Sequence, residues 1–317
     1  MLPVHVTPPR PTAAPALVVT ALVVVYIVWG STYLAIRVTV EQAPPQLGMG
    51  SRYVAAGVLL GLLLTFRGGL RRLRVTRREL AGCAFMGLML PVLGNGLVAL
   101  GESRGTPSGV AAVLVALSPL MIAVFRAASG DRPRPWSAIG VLIGLLGVAW
   151  LVLVGRGQGD VPLGPSITVL IASTCWAFGS WWQPRLTLPK DAFVMTVHEM
   201  WTGGVVLLVL GWVRGERLHL GSYDAHTWLA WVYLVVLGSM VAFTAYVWLL
   251  ANAPISLVAT YAYVNPVVAV VLGALLLDEP VTSAVLVGSV LIVLGVATVI
   301  TVERPRKVGV DEQPVIS

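Results

Sequence analysis

Along most of this chain the polar positions do not alternate with the apolar ones. They gather into short clusters that separate long apolar runs. A helix needs roughly 20 mostly apolar residues to cross the hydrocarbon of a bilayer. Breaking the chain at charges, prolines and polar clusters predicts ten such helices, near residues 16–37, 46–66, 79–99, 106–126, 136–154, 162–183, 192–213, 226–250, 254–277 and 281–301. The predicted fold class is an all-α integral membrane protein. Residues 1–15, with five prolines, read as a disordered cytoplasmic tail. No cleavage site follows the first apolar run, so that run reads as a retained helix and not as a signal peptide.

The pattern occurs twice. Residues 264–280 read VNPVVAVVLGALLLDEP and residues 117–133 read LSPLMIAVFRAASGDRP. Pro119, Asp131 and Pro133 each stand 147 positions before Pro266, Asp278 and Pro280. The same shift places Trp29 on Trp176, Gly57 on Gly204, Pro107 on Pro254, Ala112 on Ala259 and Ala127 on Ala274. One inserted residue then brings Gly140 and Gly147 onto Gly288 and Gly295. The chain therefore divides into a five-helix repeat at 16–154, a connecting loop at 155–161, a second five-helix repeat at 162–301 and a cytoplasmic tail at 302–317. Five is odd, so the second unit enters the membrane upside down relative to the first. Inverted repeats of this kind build alternating-access carriers, with the substrate site near the midplane between the units.

Composition agrees and narrows the choice. The chain is 57% hydrophobic and only 11% charged, too little charge to cover a soluble domain. A net charge of +7 could suggest nucleic acid, but the arginines lie between apolar runs and form no basic face of a soluble fold. With the N-terminus inside, 15 Lys and Arg fall on the inner side and five on the outer, which places both termini in the cytoplasm. Cys83 and Cys175 fall inside apolar runs and imply no disulfide.

Several segments resemble a known family. WGSTYLAIR in the first span, Arg52 near the start of the second, the proline-rich starts of spans four and nine, and the paired S/N-P…D-x-P motifs are similar to the drug/metabolite transporter superfamily, specifically its ten-helix EamA group. The resemblance covers about residues 16 to 301. It implies an inner (plasma) membrane carrier, commonly an exporter of amino acids or related metabolites. It also implies a central cavity formed largely by helices one, three, four, six, eight and nine.

The residues themselves suggest where such a cavity would lie. A proline within a helix frees a backbone carbonyl and bends the helix, which membranes tolerate where neighbours or a wet cavity satisfy the freed group. Pro119 and Pro266 are thus candidate hinges, with Ser118 and Asn265 beside them. Asp278, Glu279 and Pro280 read as a tight turn with the proline starting the tenth helix, or as a gate closed by a salt link to a loop arginine. Arg52, His198 and Glu199 are ionisable at membrane depth, where such residues are costly and functional by default. Arg52 and Glu199 are repeat equivalents, but ~13 Å of depth at 1.5 Å per residue separates them. Arg52 is therefore a candidate carboxylate anchor, and Glu199 with His198 a candidate for proton coupling. Trp29, Ser31, Tyr33, Asn95, Trp176, Ser180, Tyr246, Tyr261, Tyr263 and Asn265 complete a candidate substrate pocket, mostly apolar with a few polar groups. Gly140, Gly144 and Gly147 form a small-residue face suited to packing within the monomer or to a homodimer.

These residues favour a secondary active transporter of a small metabolite, an amphipathic solute or a drug. Its partners would be that solute, the lipid bilayer and a proton or another coupling ion. No G-x-x-x-x-G-K-[ST] sequence is present to power it with ATP, and no cofactor is implied. A channel is the alternative reading, without a ring of charges to support it. A membrane-embedded enzyme comes last, because His5, His198, His219 and His226 form no metal or acid-base constellation.

Overall fold

The computed structural model describes residues 14–130, 134–157, 161–253, 255–258 and 260–302. Most of the two tails, part of the connecting loop, Asp131 to Pro133 of the first motif, and Pro254 and Ala259 of the repeat register lie outside the described residues. The described chain is helical, with no strand. Ten apolar helices follow one another: α1 (Pro15–Gln42), α2 (Pro45–Gly68), α3 (Arg77–Ser103), α4 (Ser108–Ala128), α5 (Pro135–Val154), α6 (Leu163–Arg185), α7 (Ala192–Val213), α8 (Ala225–Tyr246), the shorter α9 (Tyr261–Leu276) and α10 (Ser283–Val302). All but α9 are long enough to cross a bilayer.

Two helices outrun their expected ends. The first continues five residues past position 37 and the third reaches Ser103, so Arg37 and Glu102 stand in helices and not in loops. The helix tips supply their own polar partners, as where Arg37 Nε lies 3.4 Å from Glu41 Oε1 one turn on. α3 begins where a capping box allows it: Glu79 N donates to Thr76 Oγ1 at 3.2 Å, and Thr76 N donates back to the Glu79 carboxylate at 2.8 Å.

The repeats pack across one another through glycine. α2 lies along α7, and α5 lies along α10. A Cβ on Gly50 would stand 2.9 Å from Leu208 N, and one on Gly204 would stand 2.9 Å from Val54 N. Gly140 and Gly147 meet Gly295, Leu291 and Ile292 of α10 in the same way, while Gly144 faces Leu120. The small-residue face of α5 is therefore consumed inside the monomer and offers no surface to a second copy.

Acids of the second repeat cap helices of the first. Glu216, after α7, accepts from Leu47 N at 2.9 Å at the start of α2. Glu279, after α9, accepts from Ser108 N at 2.7 Å, Ser108 Oγ at 3.0 Å and Gly109 N at 3.1 Å at the start of α4. Each satisfies backbone N–H groups left over at a helix start and opposes the positive end of its dipole. The sequence expectation is corrected here in two respects. Glu279 binds a helix terminus and, among the described residues, no arginine, and Pro280 stands three residues before α10 instead of starting it. The preceding Asp278 adopts φ 51°, the left-handed turn that lets Glu279 N reach back to Gly273 O at 3.1 Å.

At the opposite end of the bundle, Arg72 donates to Asp191 from Nε and Nη2 at 3.0 and 2.8 Å. Asp191 in turn caps α7 through Phe193 N at 3.0 Å. Partial burial works against the Asp191 carboxylate, but Arg72 and the helix N–H groups hold its pKa below the ordinary aspartate value.

Four interruptions shape the interior. α4 is split at Ala116–Leu117, and Pro119 opens its second segment. Before α9 a short helical turn, Ile255–Val258, precedes a break, so Pro266 stands inside the continuous helix and the interruption lies upstream of it. α3 and α8 each contain a wider π-helical stretch, at Leu88–Gly96 and Leu234–Val241. The two stretches nearly coincide under the repeat shift, so they belong to the architecture of the unit.

Candidate functional site

The interruptions converge on one cavity. It has a volume of about 320 Å³ and takes its walls from α1, α2, α3, α4, α6, α7, α8 and α9. Both π-helical stretches reach it, with Gly94 and Asn95 on one side and Gly238 and Ser239 on the other. A π turn widens the helix and leaves carbonyls without their usual partners, a feature common at functional sites. Here Trp29 Nε1 donates to Gly238 O at 3.2 Å. The same indole lies 5.0 Å from the ring of Tyr246 and 5.3 Å, nearly edge-on, from that of Tyr261. Tyr246 and Tyr261 meet each other edge to face at 5.8 Å. Three rings from α1, α8 and α9 thus form one aromatic corner, each fixing the next.

Arg52 supplies a charge on another wall. Only 5% of it is exposed, and what surface it has opens into the cavity. Its Nε donates to Ser239 Oγ at 3.2 Å, and its guanidinium lies 4.9 Å over the ring of Tyr53. Ser239 is held in turn, donating to Leu234 O at 2.9 Å across the π turn. No carboxylate among the described residues pairs with Arg52. A buried guanidinium that is oriented but not neutralised is a ready site for a carboxylate or other planar anion.

The proline segments are satisfied by side chains. Pro119 cannot donate to Val115 O, and that carbonyl accepts instead from Ser118 Oγ at 2.8 Å and Ser173 Oγ at 3.3 Å. Asn265, with its amide oriented to suit its neighbours, donates to Tyr261 O and Tyr26 O, both at 3.2 Å. It thereby ties α9 to α1 directly beside the cavity.

Of the residues expected from sequence, Trp29, Tyr33, Arg52, Asn95, Trp176, Ser180, Tyr246, Tyr261 and Asn265 line this cavity, together with Pro119 and Pro266. Four others lie elsewhere. Ser31 contacts the hydroxyl of Tyr233 at 2.5 Å and borders a separate groove between α1, α8 and α9. Tyr263 packs against the apolar cluster built on α4 and α10. His198 Nδ1 is engaged by Val194 O at 2.8 Å. Glu199 is buried where α7 crosses α3, one position away from the cavity residue Met200. Thr32, Tyr53, Ser239 and Phe243 line the cavity without having been singled out. Their signal in the sequence is faint, because which face of a wholly apolar helix turns inward depends on its neighbours.

Residues 16–153 and 165–301 each match the EamA-like transporter family. The chain belongs to that family. Escherichia coli K12 has a relative named "Uncharacterized inner membrane transporter YedA", 42% identical over 254 residues and covering 80% of both chains. A second relative there, named "Probable amino-acid metabolite efflux pump", is 26% identical and covers 87% of this chain and 92% of its own. The transporter YvbV of Bacillus subtilis is 26% identical over 93% of this chain and 96% of its own. One protein of known crystal structure shares the fold, with a TM-score of 0.60 at 20% identity over 92% of this chain and 100% of that one. The resemblance read from the motifs is thus borne out, as is the architecture of two five-helix repeats. The family is one of multi-pass membrane transporters, and none of these relatives is named as an enzyme.

Proposed function

We propose that this protein is a secondary carrier that exports a small amphipathic carboxylate, an amino acid or a related metabolite, from the cytoplasm by alternating access. The observation that carries this reading is the pairing, in one cavity between the repeats, of an un-neutralised buried arginine with an aromatic corner. Arg52 would take the carboxylate, and Trp29, Tyr246 and Tyr261 would pack on the apolar body of the solute. A cavity of about 320 Å³ suits a solute of amino-acid size better than a large drug. The name of the efflux relative in Escherichia coli supports the same solute class. The excess of arginine on one side supports a topology with both termini in the cytoplasm.

The test is flux from proteoliposomes loaded with a pool of L-amino acids, their deaminated acids and their amide derivatives, followed by mass spectrometry. Selective, saturable loss of carboxylates and retention of the amides is expected. Equal loss of amides and acids would remove Arg52 from recognition, and non-saturable loss of the whole pool would indicate a channel.

A further inference from the structure

A second site lies at the end of the bundle that carries the turn between α3 and α4. Glu102, in the last turn of α3, is 0% exposed, and among the described residues neither of its carboxylate oxygens has a hydrogen-bond partner. Among the described residues no charged group bonds to its carboxylate. On α1, Arg37 is a neighbouring cation whose charge favours the ionised form, but it donates to the backbone carbonyl of Glu102, pairs with Glu41 and forms no ion pair with the Glu102 carboxylate. In the turn after α9, Glu279 adds a second negative charge, itself held by the start of α4. Arg104, two residues on, is exposed. α4 and α6 carry no acid or base in the halves that lie beside it. A carboxylate buried without a hydrogen-bond donor is costly, so the site suits a carboxyl group that carries a proton.

The position of Glu102 points to a use. Val98, one helical turn before Glu102 on α3, lines the central cavity together with Tyr33 of α1 and Tyr53 of α2. Glu102 is thus set between the sealed tip of the bundle and the wall of the substrate site.

We propose that Glu102 is the proton-binding site that couples this carrier, an assignment that rests on the transporter reading above. With the outer end open, the carboxylate takes one proton from the outer solution and forms one O–H bond. The neutral acid can then be buried as the tips of α1, α3 and α4 close. On the opposite stroke, the bond breaks toward the cavity past Tyr33 and the proton leaves to the cytoplasm as the next solute binds. One proton enters and one leaves per cycle, and no other reactant is required.

Two measurements test this on the reconstituted full chain. The first uses protons alone: infrared difference spectra over a pH titration should show a protonated-carboxyl band that disappears in Glu102→Gln and persists in Glu199→Gln. A band lost only in Glu199→Gln would overturn the assignment. The second uses the L-amino-acid pool under an imposed pH gradient or an imposed sodium gradient. Wild-type flux should respond to pH at least tenfold more than to sodium. Glu102→Gln should lose the pH-driven flux while keeping solute exchange across vesicles without a gradient. Retained exchange shows that the variant is folded, and Glu102→Asp should recover part of the coupling. Glu102→Gln with full pH-driven flux, or a wild type driven by sodium, would overturn the proposal and leave the carrier reading intact. A wild type that moves no solute would instead fail the carrier reading itself.

Discussion

Arg52 and Gly94 show what one side chain decides. The guanidinium is buried, aligned by Ser239 and left without an acid partner. A hydrogen bond to a charged group contributes ~1.5–3 kcal/mol, so Arg52→Ala should raise the KM for a carboxylate solute by roughly 10- to 100-fold. Arg52→Lys keeps the charge and loses the planar fork, and should fall between. An unchanged KM in both variants would exclude Arg52 from the site. Gly94 tests the opposite wall. A Cβ there would stand 2.8 Å from Trp176 Cε3, so Gly94→Ala must push the indole into the cavity. Transport should fall at least tenfold, at a stability cost of ~1–3 kcal/mol typical of overpacking. A cooperative unfolding transition lowered by no more than that cost, with flux lost, would confirm that space, and not folding, is what Gly94 provides. Trp176 was legible in the sequence because the repeat shift pairs it with Trp29. Gly94 was not, because a glycine in an apolar run has many reasons to be there.

Among the elements, the caps between repeats are the parts with a testable load. Glu279 meets three donors at the start of α4, in a half-buried position. Glu279→Ala should therefore cost ~1–2 kcal/mol of stability, measured as a lower unfolding temperature in detergent. It should also speed thiol labelling of Ser108→Cys, because the tip of α4 loses its anchor in the second repeat. No change in either would reduce Glu279 to a turn residue. The repeat equivalents of Glu216 and Glu279 are Gly69 and Arg132, neither of which can accept from a helix N-terminus. The two ends of the bundle are thus fastened by different chemistry, carboxylate caps at one and the Arg72–Asp191 ion pair at the other. The acids were visible in the sequence as a motif, but their partner lies 171 positions away and no local rule names it.

For the whole molecule, inversion of the repeats makes a prediction that neither unit makes alone. Arg74 and Ser222 occupy nearly equivalent places in the two units, and both are exposed. In an inverted pair they lie on opposite faces of the membrane. With Cys83 and Cys175 replaced, a membrane-impermeant thiol reagent outside intact cells should label Ser222→Cys and Arg104→Cys and spare Arg74→Cys and Ser129→Cys. Labelling of the reverse set would invert the proposed topology. Labelling of Arg74→Cys together with Ser222→Cys would contradict the inversion itself.

The sequence by itself determined the class, the ten helices and the repeat, because each is written in a periodic quantity: the length of an apolar run, the spacing of its breaks, the recurrence of its motifs. It also marked most of the cavity's aromatic and polar groups, since a tryptophan or arginine at membrane depth is costly enough to be conspicuous. Only the tertiary structure decided that Ser31, Tyr263, His198 and Glu199 point away from the cavity and that the α5 glycines are consumed within the monomer. It alone decided that Glu102 belongs to a buried helix tip and not to a loop. The reason is physical: in lipid both faces of a helix are apolar, so hydropathy fixes where the chain crosses but not which way each face turns. That choice is made by close packing, in which glycines, π turns and caps set the rotation of each helix against its neighbours.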